Sequence, residues 1–441
     1  MKRAESRPPA SSGALRFAPD ISLTSDTSRL LLLSPPQSYR IAAYLDAARE
    51  LGIELVVASD GKHSLTHEVA NGIHIDFTKR ERSIDSVCSA HAEAPFAGIV
   101  ATDDATVELA AVMAEALGLA HNSPESARLT RRKDLARQRL ADAGVAVPGF
   151  RVISLEKPLA PQIAGLNWPQ VFKPVSLSAS TGVIRVDGLR AALAATDIIA
   201  ELIASLPDRD ERQTILAEEY IPGEEVAVEG FLHRGEYRLI TIFDKPDPLT
   251  GPYFEETCYI TPSRLPTATQ QVIARTVAAA CAAYGLVQGP VHAELRVDNE
   301  QVWMLEVAGR TIGGECSRAL DAGLQGSLEK HVLASAFGMP LALNTRDAAA
   351  GVMMIPTPKA GMLRHVDGVQ SARAVAGITD LRLSARVGHQ LEMLPKASSY
   401  LGFIFAEAET PEQVLCALRQ SHAELTFIID PFIPLRLAVD N

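Results

Sequence analysis

The chain of 441 residues is 47% hydrophobic, too long for one ordinary domain and apolar enough to fill two or three packed cores. A formal net charge of -11 argues against a general nucleic-acid binder and a polybasic membrane binder, because either needs a cationic face to recruit phosphates. Five scattered cysteines without a Cys-x-x-Cys pair, an N-terminus lacking the apolar core of an export signal, and no apolar run near the roughly 20 residues of a membrane helix fit a cytoplasmic protein with reduced thiols.

Residues 1–28 combine Ser, Pro and charge with little apolar periodicity and read as a disordered tail. A buried-strand pattern follows at 30–34, then helical spacing over 39–51 closed by Gly52, then a second strand at 53–59, which together predict a βαβ unit. The pattern repeats as a strand at 96–102 and an Ala-rich helix at 105–117, so residues 29 to about 125 read as a small doubly wound parallel-sheet domain. No Gly-x-Gly-x-x-Gly turn is present, which removes the usual reason to infer dinucleotide binding. A helix at 134–143 leads into a middle unit running to about 345, with strands at 170–174, 215–220 and 225–232 and a hairpin over 291–307. After Asn344 the pattern resets, and the Thr410-Pro411-Glu412 helix start and a last strand at 425–429 suggest a smaller α+β unit.

Three segments could carry chemistry. In Val171-Phe172-Lys173-Pro174 a lysine sits inside an apolar strand, which is costly unless its ammonium meets an anion, and the small-residue loop 176–182 behind it could bring N–H groups near phosphate oxygens. Such a lysine equally suits a strand end that snorkels to solvent. In Glu218-Glu219-Tyr220-Ile221-Pro222-Gly223-Glu224-Glu225 a broken strand offers free backbone groups for a purine edge and Glu225 for ribose hydroxyls; the bland alternative is a turn with solvated acids. In the hairpin, strand alternation places His292, Glu294 and Arg296 on one face. If its loop has odd length and centres on Glu300, Glu294 lies opposite Glu306 and the two carboxylates call for a cation such as Mg²⁺; a two-residue turn would send them to opposite faces. Arg310, in the Gly-rich loop beyond, suits a substrate carboxylate or a transferring phosphoryl group, or simply pairs with Glu294 or Glu306.

These segments, in this order over roughly residues 30–440, resemble the ATP-grasp superfamily. The resemblance implies an α/β and α+β chain of ATP-grasp fold: a disordered tail (1–28), an N-terminal doubly wound parallel-sheet domain (29–125), ATP-grasp domains (126–345) with a lid at about 148–222, and a C-terminal α+β subdomain (346–441). It implies that Lys133 and Lys173 contact the ATP phosphates and that the loop with Ser178, Ser180, Thr181 and Gly182 is a flap over them. Glu218, Glu219 and Ile221 would form the adenine hinge, Glu225 would hold the ribose, and Glu294 and Glu306 would ligate Mg²⁺, or Mn²⁺ in its place.

Within the superfamily the chain looks most like L-amino acid ligases and related carboxylate–amine ligases, on Glu306-Val-Ala-Gly-Arg310 followed by Gly313-Gly314. Many relatives place an asparagine two residues after the second metal acid, where this chain has Ala308. Those ligases commonly carry Glu-x-x-His-x-x-Pro upstream, and here the segment reads Glu256-Thr-Cys-Tyr259-Ile-Thr-Pro262. Glu256, Tyr259, His292, Arg310 and Gly313 are thereby implied at the substrates, with Tyr259 pointing to a different substrate or proton route. The implied activity joins a small-molecule carboxylate to an amine through an acyl phosphate, with Arg310 and Lys173 as catalytic cations and ADP and phosphate released. No nucleic-acid or membrane partner is implied, and a homodimer is a common assembly in the family. The rivals are a carboxylase or formyltransferase-type enzyme of the same superfamily and an inactive nucleotide-binding regulatory protein.

Overall fold

The computed structural model describes residues 29–36, 38–60, 71–320, 324, 326–339, 348–396 and 400–432; the expected N-terminal tail lies outside them. Strands β1 (Arg29–Leu33), β2 (Glu54–Asp60), β3 (Gly72–Ile75) and β4 (Gly98–Ala101) form a parallel sheet in the order β3-β2-β1-β4. The wholly buried run Leu30–Leu33 is what a parallel strand covered on both faces requires. The helix Asp104–Leu117 follows β4, and the side chain of Asp103 caps its first turn in a reciprocal box with Thr106.

The lid is an antiparallel sheet of β5 (Phe150–Ser154), β6 (Gln170–Pro174), β7 (Ile184–Val186) and β8 (Thr214–Glu219), in the order β5-β8-β6-β7. Ala192, Ala195, Ile199 and Ile203 make one stripe of the helix Leu189–Ile203 and bury it on this sheet.

Eight strands form the central sheet: β9 (Glu224–His233), β10 (Glu236–Asp244), β11 (Cys258–Thr261), β12 (Gly289–Asp298), β13 (Gln301–Ala308), β14 (Ala349–Ile355), β16 (Ile378–Leu383) and β18 (Gly402–Ala408). Their order is β13-β12-β9-β10-β11-β14-β18-β16, so β13 is an edge strand. The C-terminal subdomain shares this sheet through the β11–β14 pairing, while β15 (Gly361–Asp367), β17 (Gln390–Leu391) and β19 (Thr426–Asp430) make a separate small one. The helix Thr267–Tyr284 packs Ile273, Val277 and Cys281 against Val291, Ala293, Leu295, Met304 and Val307. That core claims the odd-numbered face of β12, so His292, Glu294 and Arg296 are left on the face toward the lid.

Candidate active site

The turn between β12 and β13 has only two residues, Asn299 and Glu300, both left-handed with φ of 48° and 68°, the conformation that matches hairpin twist. Of the two loops the sequence left open, the hairpin has the two-residue turn. Pairing starts at Asp298 with Gln301 and runs in register to Leu295 with Met304. An unbroken ladder would next set Leu305 opposite Glu294 and turn Glu306 to the helix-covered face. Instead the register shifts by a β-bulge, and Glu294 pairs with Glu306. Leu305 and Glu306 both line the cleft, whereas Met304 and Val307 enter the core.

A cleft lies between lid and central sheet. Lys173 does not snorkel: it is buried in β6, where its ammonium pairs with Glu218, and burial pulls its pKa below the ordinary lysine value. The Glu218 carboxylate also takes the Arg137 guanidinium at 2.5 Å, and these two cations outweigh burial and hold its pKa below the usual range. Its side chain is thus committed inside the protein, so an adenine contact at this position falls to backbone. Lys133 opens the helix Lys133–Asp142 and donates to Glu306 Oε1 and to the Leu177 carbonyl, both at 3.0 Å. In the flap loop, Ser178 and Ser180 line the cleft. Thr181 and Gly182 are not among its lining residues, and their N–H groups donate to the carbonyls of Ser178 and Pro395.

At the other end, Glu219, Ile221 and Glu225 line the cleft. Glu225 is held at Oε2 by Arg296 Nε at 2.9 Å and at Oε1 by Lys245 at 2.8 Å. Arg296 also donates to the carbonyls of Ile221 and Leu249 and lies over the Tyr220 ring, pinning the broken strand to β12. The buried Lys245 ammonium further meets Glu256 at 2.5 Å and Glu294 at 3.3 Å. Burial alone would lower the lysine pKa, but the three carboxylates raise it well above the ordinary value. Burial raises the pKa of Glu256, while Lys245 and His292 overcome burial at Glu294 and hold it well below normal.

A second space adjoins the cleft; Ser178, Ala179, Glu256, His292, Glu294 and Arg310 line both. Tyr259 and Gly313 face this second space. His292 Nδ1 meets Glu229 at 2.6 Å and its Nε2 lies 3.6 Å from Glu294; burial would depress its pKa, but Glu229 lifts it to about 9. Arg310 pairs with neither Glu294 nor Glu306. Its Nε and Nη2 grip Asp104 at 2.9 and 2.8 Å, a bidentate pair with the first turn of the helix after β4. Beside it Arg40 donates to Thr311 Oγ1 at 2.5 Å and the Ile312 carbonyl at 2.7 Å, and the Gly314 N–H donates to the Tyr39 hydroxyl at 2.7 Å.

The donors at Glu294 and Glu306 are carboxylate oxygens, the set that Mg²⁺ prefers. Lys133 occupies Oε1 of Glu306, and Lys245 and His292 approach Oε1 of Glu294, so Oε2 of each acid lies outside these bonds. The pair fits a divalent cation. Glu225, Glu256 and Glu294 also bring oxygens within 4.8 Å of one another, but there the protein supplies its own cation, Lys245.

Sequence reasoning missed Arg137, Lys245, Glu229 and Asp104. Lys245 had a signal, because Phe243-Asp244-Lys245-Pro246 repeats the lysine–proline end of an apolar strand seen at Lys173-Pro174. Asp104 had only that of an acid at a helix start, and Glu229 and Arg137 had none beyond their charge.

A cleft between an antiparallel lid and a central sheet, with Lys133 and Lys173 on one wall and Glu294 paired with Glu306 on the other, defines a class. Residues 166–319 match the model of the ATP-grasp domain, and residues 45–121 that of the ATP-grasp N-terminal domain. The chain belongs to the ATP-grasp superfamily. Its last part, residues 353–430, matches the L-amino acid ligase C-terminal domain 2. The chain is 28% identical to dapdiamide A synthase of Enterobacter agglomerans over 49% of this chain and 51% of that one. It is 29% identical to alanine–anticapsin ligase of Bacillus subtilis over 45% of each. The matched region spans about half the length of these two relatives. The fold superposes on the crystal structure of an L-amino acid ligase from Bacillus licheniformis with a TM-score of 0.81 at 24% identity, covering 92% of this chain and 100% of that one. Within the superfamily these likenesses are most consistent with the L-amino acid ligase and carboxylate–amine ligase family. Among the described residues no helix is long and apolar enough to cross a membrane.

Proposed function

We propose that the protein is an ATP-dependent carboxylate–amine ligase that forms an amide or peptide bond with an amino acid as one substrate. The observation that carries this reading is the shared wall: Glu294 and Arg310 border both the cleft under the lid and the second space, where a carboxylate and an amine would meet the γ-phosphate. The matched relative named alanine–anticapsin ligase supports it.

In this mechanism a carboxylate oxygen of the acid attacks the γ-phosphorus, the bond to the β-phosphate oxygen breaks, and ADP leaves. The amine nitrogen then attacks the acyl carbon, the C–O bond to phosphate breaks, and the nitrogen gives up a proton as phosphate departs. Lys133 and Lys173 draw the phosphates to the lid side and Arg310, oriented by Asp104, faces the transferred charge. Glu294 and Glu306 would hold Mg²⁺, whose chemistry is to neutralise the polyphosphate charge. Glu256 supplies a carboxylate for a substrate ammonium. Ser178 and Ser180, on the loop above both spaces, would exclude water from the acyl phosphate.

The test is ADP release with Mg²⁺-ATP against a matrix of amino acids and other carboxylates paired with amines, with products weighed by mass spectrometry. We expect ADP formation that needs one acid and one amine, and a product lighter by one water than their sum. Absence of ADP release with every pair, in protein that binds ATP, would count against the reading.

A further inference from the structure

The bulge that turns Glu306 into the cleft and Val307 into the core is not set by the two-residue turn, which favours the unbroken register. The cause lies outside it. As the edge strand, β13 has no ladder partner on its outer side, and the helix Lys133–Asp142 supplies one. Arg137 Nη1 donates to the Met304 carbonyl at 2.8 Å and Nη2 to the Leu305 carbonyl at 2.7 Å, while the Met304 N–H donates to the Ala146 carbonyl at 2.9 Å. Successive carbonyls of a regular strand point to opposite sides, so one guanidinium reaches two in a row only where the strand bulges. The planar fork of arginine suits two neighbouring acceptors, which a lysine ammonium does not match.

Spacing completes the fit. Residues four apart on a helix advance about 6 Å, and residues two apart on a strand advance about 6.6 Å, so Lys133 and Arg137 meet β13 at Glu306 and at Met304 together. The guanidinium is nearly inaccessible to solvent, and its charge is balanced by Glu218, which also holds Lys173.

We propose that Arg137 is the positioning residue that holds the bulge at Leu305 and thereby places Glu306 beside Glu294 for divalent-cation binding. The proposal rests on the metal-dependent ligase reading above. Without Arg137 the two carbonyls of the bulge lose their shared donor, and Glu306 is no longer fixed beside Glu294.

The experiment titrates Mn²⁺ into the full chain holding a non-hydrolysable ATP analogue and reads free Mn²⁺ by electron paramagnetic resonance. Arg137→Met and Arg137→Lys are each expected to weaken Mn²⁺ affinity about 10–100-fold, the usual loss when a ligand's support is removed. Nucleotide affinity without metal should change far less. Deleting Leu305 removes the extra residue and leaves Met304 opposite Leu295 and Glu306 opposite Glu294 in an unbroken ladder. In that background Arg137→Met is expected to cost no further Mn²⁺ affinity, a non-additivity that a merely structural role would not produce. Where Arg137→Met does not fold, Arg137→Lys carries the same comparison. Wild-type Mn²⁺ affinity in the Arg137 variants, or an undiminished loss in the Leu305-deleted background, overturns the proposal. A wild type that binds nucleotide but no Mn²⁺ overturns the metal-dependent ligase reading itself, and the positioning role with it.

Discussion

One ammonium, Lys245, is bonded by three carboxylates drawn from β9, β12 and the segment before β11. Removing it leaves three half-buried acids in mutual repulsion, and breaking a fully buried ion pair from one side costs about 3–5 kcal/mol, an upper figure for acids that keep some exposure. Lys245→Met is expected to lose stability of that order in urea unfolding, and adding Glu256→Gln should recover part of it; an unaltered midpoint in the single variant would show that the cluster finds its cation elsewhere. The metal acids make a different prediction. Glu306→Ala is expected to abolish Mg²⁺-dependent ADP release while circular dichroism and melting stay near those of the wild type, because the acid lines an open cleft and packs no core. Full activity in that variant would sink the site assignment. The acids and Lys173 could be found in the sequence because each is a charged residue inside an apolar, strand-like run. Their partners could not, since convergence on Lys245 joins positions 11, 20 and 49 residues away.

Between β8 and β9 the chain breaks at Pro222-Gly223, where Gly223 has φ of 93° and a Cβ would fall inside the van der Waals radius of the Val297 carbonyl oxygen. Only glycine fits so close to β12. Gly223→Ala meets a left-handed backbone cost of about 1–2 kcal/mol before the clash is counted. The variant is expected to be less stable by more than that and to show a raised KM for ATP, because Ile221 and Glu225 flank the break. The KM values of acid and amine should move less; an unchanged KM for ATP would mean that the break has no part in nucleotide binding. This turn was readable as Pro-Gly between two apolar runs. The hairpin register was not, because the turn chemistry and the acid spacing point to different registers and only a contact from another element decides between them.

Across the whole molecule, the N-terminal sheet and the loop after β13 are tied by Arg310 to Asp104, by Arg40 to the Thr311 hydroxyl and the Ile312 carbonyl, and by Tyr39 to Gly314. Burial would raise the Asp104 pKa, but Arg310 outweighs it and lowers it below the ordinary 3.8. A depressed carboxylate contributes stability that is fully present above its unfolded pKa and is lost as pH falls through the folded one. Asp104→Ala is therefore expected to be less stable than the wild type at neutral pH, with the gap closing below about pH 4. Thermal melts of both proteins from pH 7 to pH 2.5 would check it, and a gap independent of pH would exclude the ion pair as its source. The same variant should lower kcat more than it raises the KM for ATP, since the proposed mechanism sets Arg310 at the transferred phosphoryl group rather than the base.

What one strand or helix needs from its own residues was settled by the sequence: the parallel run at Leu30–Leu33, the break at Pro222-Gly223 and the acid-bearing hairpin follow from local period, charge and turn chemistry. What two or more elements decide together came only from tertiary structure. The register that sets Glu306 opposite Glu294 depends on a guanidinium 167 residues upstream of the carbonyl it holds, and the partner of Arg310 lies 206 residues away. A one-residue shift in a β-ladder sends every side chain beyond it to the other face, so the register of β13 rests on what the helix Thr267–Tyr284 buries and on the carbonyls that Arg137 holds, neither of which lies within the hairpin.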